Sequence, residues 1–474
     1  MSALSGVLEE NGTLVIGVAA FALVMLVALR HGLVVDGWMA IVSGREVVQH
    51  GLPSHDMLTV WAHGHRWVDQ QWLSQLVLYG LVRAGGFKLA LLVHAALGVG
   101  GLALAATAGR RLGGSARAAT WVLLPALVAY YPEASVLRPQ SFAYPLFAAV
   151  LWLVVTDARS PSGRVFAVFP LLALWANLHG SVLLGAGLVA LAGITRAARE
   201  LLARPRRFTP RTALLVLGPW PCLLVSPYAI HLPAYYEKVL VGSDFSRFVS
   251  EWAPTTLTRS TAAVYLLVFA GMWLIGRAGA RITTFEKLAF LAMSIVAFQA
   301  IRNTAWLGLT ALVVLPQLVD ALRRQGDEPR RLNRLLASAM LGVVVIAVAA
   351  VGLNSQSWFT GGFPTAAADA AARAAAPHGK VIASSPYADW LLWSEPALRG
   401  RVAFDARYEL LAKGQLSTLG SFESRVGDRM QTTRGYAAVV LGARDDRALA
   451  TALVATRRAR VAYRDADVVV LSLR

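Results

Sequence analysis

The chain has 474 residues, 56% of them hydrophobic and only 15% charged, with a mean hydropathy of +0.54. Such a composition excludes an ordinary water-soluble domain and places the chain among membrane proteins. The net charge of +18 would suggest a nucleic-acid partner if it lay on one polar face, but the basic residues follow the apolar runs, so no nucleic acid is expected.

Eleven apolar runs follow in order, at roughly 13–30, 88–108, 118–131, 139–157, 165–176, 182–195, 212–226, 261–276, 284–301, 304–321 and 336–353. Most approach the roughly 20 residues a helix needs to cross a bilayer. Their connections alternate in charge. Nineteen basic residues fall in five short connections: Arg110, Arg111 and Arg117; Arg159 and Arg164; Arg196, Arg199, Arg204, Arg206, Arg207 and Arg211; Arg277, Arg281 and Lys287; Arg323, Arg324, Arg330, Arg331 and Arg334. The other set (31–87, 132–138, 177–181, 227–260 and the corner at Arg302) is longer in total and much poorer in Lys and Arg. By the positive-inside rule the first set is cytoplasmic, so the N-terminus lies inside and the first loop and the chain after Gly352 lie outside. The start, "MSALSGVLEENGTLVIG", has neither a basic n-region nor a small-residue cleavage site, so the first span reads as retained.

Within the first external loop, 37–49 and 71–83 are each too short to span, and their apolar positions recur at helical spacing. They are expected to be helices in the headgroup plane. Residues 1–353 form the membrane portion on this reading. From Asn354 the composition shifts: strands are expected at 380–383, 401–405, 436–441, 460–463 and 467–472, with a capped helix from Asp445, giving a small extracytoplasmic α/β domain over 354–474. No Walker or GxGxxG pattern points to nucleotides there. The single cysteine, Cys222, excludes disulfides within the chain and a Cys-based metal site.

Inside the runs the notable ionisable residue is His94, which weighs against an ion-coupled transporter. The polar residues gather at the outer ends instead: Asp36, the 55–72 cluster, Arg138, Asn177 and His179, Glu251, Arg302 and Asn303. Arginine at the hydrocarbon edge suits a phosphate on a lipid tail, since its planar fork donates to two phosphate oxygens. A carboxylate nearby suits deprotonation of an acceptor hydroxyl. The chemistry that fits is sugar transfer from a polyprenyl phosphate.

Asp36 after the first span, "SGREVVQHGLPSHDMLT", "WVDQQWLSQLVLY", "RPQSFAYPLF", "LWANLHGSVLLG", "SPYAIHLPAYY" followed by "SEWAP", "RNTAWLGL" and "SPYADWLLW…VAFDAR" together resemble the GT-C superfamily of multispan glycosyltransferases, in a bacterial branch. The resemblance implies a GT-C membrane core with interfacial helices in the first external loop, a lipid-phosphate sugar donor, inversion at the anomeric carbon, and a place in the bacterial cytoplasmic (inner) membrane. It also makes Asp36 the general base. Many relatives carry two adjacent acids there; here Gly37 follows, and Asp56 or Asp69 would supply a second carboxylate.

Arg138, Arg302 and His179 are the candidates for the donor phosphate, although Arg138 also reads as a headgroup anchor and His179 as a helix-end cap. Asp56, Trp67, Asp69, Gln70, Gln71, Asn177, Glu251 and Asn303 are candidates for sugar or acceptor. Trp67 and Trp72 read equally as headgroup anchors. Asp405 with Arg407 reads as a buried ion pair or as an acceptor contact. No cofactor is required; a divalent metal is the lesser reading, with His55, His63 and His65 as ligands. The acceptor is a glycan, a lipid or a protein, and the partner on all sides is the lipid bilayer. Two other classes compete: a transporter or flippase of lipid-linked glycans, and a non-enzymatic membrane assembly protein.

Overall fold

The computed structural model describes residues 3–203, 208–240, 249–322, 330–425 and 428–474. Arg204, Arg206, Arg207, Arg323 and Arg324 of the basic connections lie outside the described residues. Two compact units emerge: Met1–Leu29, Leu91–Ala229 and Ser250–Asn354 form one, and Arg30–Ala90, Ile230–Val249 and Ser355–Arg474 form the other.

In the first unit every apolar run read from the sequence is helical. Six described helices are long and apolar enough to cross a bilayer: Ser5–His31, Trp72–Arg111, Pro139–Arg159, Val182–Leu202, Ala262–Arg281 and Arg330–Leu353. The pair Ile301–Val314 and Pro316–Leu322, bent by 51°, makes a seventh if counted as one. Proline explains the breaks. Pro316 ends the Thr304–Val314 helix, and the 212–226 run divides into Pro210–Leu217 and Pro219–Leu223, because a proline ring offers no N–H and clashes with the preceding turn. The 165–176 run is a 3-10 turn, Gly163–Ala167, followed by the eight-residue helix Val168–Trp175.

Thr304–Val314, buried along its whole length, is the centre of this unit. Its Trp306 lies 5.3 Å from Tyr144, 5.1 Å from Phe147 and 6.3 Å from Trp175, ring to ring. Gly308 faces the Ala126 carbonyl, where an added Cβ would stand 3.0 Å away, so the absence of a side chain sets the approach to helix Ala116–Ala134. At the basic ends several arginines are paired within the protein: Arg159 with Glu286, Arg211 with Asp157, and Arg334 with Glu9.

In the second unit the Val35–His50 helix is buried from Gly37 to Glu46. Arg45 donates to the carbonyls of Trp393 (3.0 Å) and Leu392 (2.5 Å) at the C-terminal end of helix Ser385–Ser394, and Glu46 accepts a fork from Arg399. This differs from the expectation of a helix open to headgroups: protein covers it. The second expected helix is the start of Trp72–Arg111, which leaves helical geometry at Gly85 and Gly86 (φ +70°) before the next apolar run.

The α/β part holds four strands, β1 (Val381–Ala383), β2 (Ala438–Gly442), β3 (Ala459–Arg464) and β4 (Val468–Leu473), in the order β1-β2-β4-β3. β1 and β2 are parallel, and the other pairs are antiparallel. The strand expected at 401–405 is reduced to isolated bridges, Val402 pairing with Val381 on one side and Thr59 on the other. One residue of pairing per side suffices here because Val60 and Trp61 of the first loop also donate to Val402 and Ala403. The expected C-terminal helix begins at Arg447, after Asp446 rather than Asp445, and the Asp446 carboxylate turns to Ser384 and Arg429 instead of capping it. The second unit resumes at Ser355 and also contains residues 30–90 and 230–249.

Gly44 is a tight point: a Cβ there would collide with the Gln75 carbonyl. Gly44→Val is expected to lower stability by about 1–3 kcal/mol through overpacking, read as a lower Tm. Gly187→Ala, where a Cβ meets open space within helix Val182–Leu202, is expected to leave Tm unchanged or raise it.

Candidate active site

The residues singled out from sequence fall into two groups, one in each unit. In the first unit, distant stretches of chain converge on one corner. Thr255 donates to the Phe298 carbonyl (3.0 Å) and Ile301 to the Ala253 carbonyl (3.1 Å), stitching "SEWAP" to the turn that carries Arg302. Thr304 Oγ1 donates to the Ala129 carbonyl at 2.8 Å, tying that turn to the end of helix Ala116–Ala134.

The two arginines of this corner differ. Arg138 is held between Glu133 (3.1 Å) and Glu251, so its charge is balanced by carboxylates. Arg302 lies 4.7 Å over the ring of Trp252 and, among the described residues, has no carboxylate in ion-pair range. An aromatic face attracts a guanidinium without neutralising it, so Arg302 keeps a charge to offer an anion.

His179 occupies the 177–181 turn. Burial lowers its pKa to about 3, and the charges of Arg302 and Arg138 add to that shift. The backbone N–H of Ser181 donates to its Nδ1 at 3.2 Å, which assigns the proton of the neutral ring to Nε2. His179 is therefore a neutral hydrogen-bond donor rather than a cation. Asn177 and Asn303, expected at sugar or acceptor, donate their amides to carbonyls instead: Asn177 to Ala173 (2.9 Å) and Val225 (2.6 Å), Asn303 to Val296 (3.2 Å). They fix the turns.

In the second unit the organising residue is Arg407, only 7% exposed. Its guanidinium pairs with Asp405 and, at 2.5 Å, with Asp56, and it lies 4.0 Å over the ring of Trp67. Asp56 accepts further from the backbone N–H of Leu58 and Thr59 and from the Thr59 hydroxyl. Those bonds use both oxygens, so Asp56 is a support for Arg407 and not free for an acceptor. Trp67 is equally corrected: its ring is buried under Arg407 rather than open to a ligand.

Asp69 is buried, and its carbonyl receives the Trp72 N–H that opens the next helix. Burial pushes the Asp69 carboxyl up to about 7, against the opposing pulls of Gln75 and Arg407. Gln70 is buried beside it, while the Gln71 carbonyl accepts from Ser74. Asp36 stands in the first turn of Val35–His50, half-buried, and its charge reaches Asp389 and Tyr408 of the C-terminal segment.

His55, His63 and His65 do not form a ligand set. Gly64 (φ +75°) and the bond from His65 N–H to the Ala62 carbonyl make a turn where alternating strand geometry would have put His63 and His65 on one face. His65 Nδ1 pairs with the Leu410 carbonyl and His55 Nδ1 with the Ser54 hydroxyl. No group of three His, Cys, Asp or Glu suited to a metal occurs among the described residues.

No protein-family model and no curated protein sequence matches the chain. Solved structures do. ArnT from Cupriavidus metallidurans bound to undecaprenyl phosphate aligns over 96% of this chain and 97% of its own, with a TM-score of 0.51 at 18% identity; its apo form gives 0.52 at 17%. An Archaeoglobus fulgidus oligosaccharyltransferase, tethered to an acceptor peptide containing the NVT sequon, aligns over 90% of this chain and 68% of its own, with a TM-score of 0.50 at 12% identity. At these identities the likeness shows a shared fold. Two residues that build this corner were not singled out from sequence. Glu133 carried only a signal too common to read, an acid five residues before Arg138; Trp252 was quoted within a motif without a role.

A titration tests the Asp69 environment. An acid whose pKa is raised on folding binds its proton more tightly in the native state, so stability falls as pH rises from about 4 to about 7 and levels off above. Asp69→Asn is expected to remove that slope. Its Tm should exceed that of the parent at pH 8 and match it near pH 4; parallel Tm profiles from pH 4 to 8 would contradict the assignment.

Proposed function

We propose that the chain is a membrane glycosyltransferase that moves a sugar from a polyprenyl-phosphate carrier to an acceptor on the extracytoplasmic face, with inversion at the anomeric carbon. The observation that carries this reading is Arg302: a guanidinium at the end of apolar helices, with no carboxylate among the described residues to neutralise it, on a fold that in ArnT has undecaprenyl phosphate bound. The site is placed in the bacterial inner membrane, with the N-terminus in the cytoplasm and residues 354–474 outside. The positive-inside distribution of arginine supports that orientation.

On this reading Arg302 binds the donor phosphate by charge-assisted hydrogen bonds and His179 adds a neutral Nε2–H donor. Arg138, already paired, shapes the corner through Glu133 and Glu251 rather than holding the phosphate. Asp36 is the general base. It takes the proton of the acceptor hydroxyl as the new bond to the anomeric carbon forms, and the bond from that carbon to the phosphate oxygen breaks with its electron pair leaving on the lipid phosphate. A phosphate monoester anion leaves without protonation, so one carboxylate suffices, unlike the paired carboxylates of glycoside hydrolysis. A single displacement inverts the centre.

Two measurements test this. Binding of undecaprenyl phosphate to purified protein in nanodiscs is expected to weaken about tenfold or more in Arg302→Ala, in line with the roughly 1.5–3 kcal/mol of a hydrogen bond to a charged group. An unchanged affinity would remove the phosphate site. Release of lipid phosphate from a panel of undecaprenyl-phosphate sugars, supplied with cell-envelope acceptors, is expected to slow by about 10²–10⁴ in Asp36→Asn while lipid binding and Tm are retained. Full turnover in that variant would exclude Asp36 as base.

A further inference from the structure

The first unit contains another feature, at the opposite ends of its helices from Arg138 and Arg302 and independent of the glycosyl-transfer reading. The Ala3–Ala28 helix, the 91–111 portion of Trp72–Arg111 and the Arg330–Leu353 helix leave a cavity of about 640 Å³ between them. Val15, Val18, Ala103, Ala106, Leu341 and Val344 line its length. Small side chains on the middle helix create the room. Such a volume is within the range of sites that enclose ligands.

One end of the cavity is polar, where Glu10, Asn11, Arg110 and Arg111 meet. The first helix departs from helical geometry at Asn11 (φ −120°, ψ 15°), and Asn11 Oδ1 accepts from Arg110 Nε at 2.6 Å. Arg110 Nη1 donates to the Gly114 carbonyl at 2.6 Å, so the guanidinium is fixed at the mouth. Arg111 and Glu10 are exposed and, among the described residues, have no ion-pair partner. The mouth therefore offers two cations and one carboxylate above an apolar slot.

We infer that this slot seats a phosphatidylethanolamine molecule, with an acyl chain between the three helices, the phosphate at Arg110 and Arg111, and the ammonium at Glu10. Charge complementarity selects the headgroup. A purely anionic lipid satisfies the arginines but meets Glu10 as a like charge, whereas a phosphoethanolamine carries both signs. With the basic connections facing the cytoplasm, the lipid belongs to the cytoplasmic leaflet.

Native mass spectrometry of the full chain reads this directly. After delipidation the protein is expected to rebind phosphatidylethanolamine at least threefold more tightly than phosphatidylglycerol. Arg111→Ala should weaken rebinding at least threefold, and Glu10→Gln should abolish the preference over phosphatidylglycerol. Both side chains are exposed, so the fold, checked by Tm, is expected to stay intact. Ala103→Trp fills the slot and should prevent rebinding; should it unfold, the two mouth variants decide. Equal binding of phosphatidylglycerol by the parent chain, or unchanged rebinding in Arg111→Ala, would each overturn the assignment.

Discussion

One buried cation holds the second unit together. Arg407 lies between Asp405, two residues before it, and Asp56, 351 residues away in sequence, with Trp67 beneath. A guanidinium removed from water is tolerated when its charge is matched, here by two carboxylates, and loss of one partner from such a pair typically destabilises by about 3–5 kcal/mol. One of the two carboxylates, Asp56, and the ring of Trp67 come from the loop that follows the first helices. That loop is thereby locked to the 401–407 segment, and the backbone bonds from Val60 and Trp61 to Val402 and Ala403 extend the same seam. The polar, aromatic stretch 61–72 is explained by this: its Trp, Asp and Gln residues close a protein core, and its exposed histidines are what is left over.

The first unit makes different use of the same side chain. Arg138 and Arg302 both sit at helix ends, yet one is bracketed by carboxylates and the other rests on a tryptophan ring. Pairing gives rigidity, and a ring gives support without cancelling charge. Which arginine is neutralised follows from which neighbours the chain supplies, Glu133 and Glu251 in one case and Trp252 in the other.

Much of this was legible in the sequence because hydrophobic runs and arginine positions are local signals. The helices, the shift in composition at Asn354, four of the five strands and the polar corner at 138, 179, 251 and 302 all follow from them. What escaped is set by tertiary partners. No local pattern says that Asp56 closes on Arg407, that Gly64 turns the chain between two histidines, or that Asn177 and Asn303 face their own backbone. The breaks at Pro219 and Pro316 were visible as prolines, but whether a run stays straight depends on its neighbours. The 401–405 stretch reads as a strand by composition and is one by pairing for a single residue on each side, since both its neighbours are short.

The neutral imidazole in the 177–181 turn carries a consequence for environment. A ring whose proton is lost at about 3 gains no charge when its surroundings drift between mildly acidic and mildly alkaline. A corner built on a titrating histidine would change its charge with each change of medium. With burial, and after it two arginines, suppressing that titration, the imidazole stays in the same state throughout.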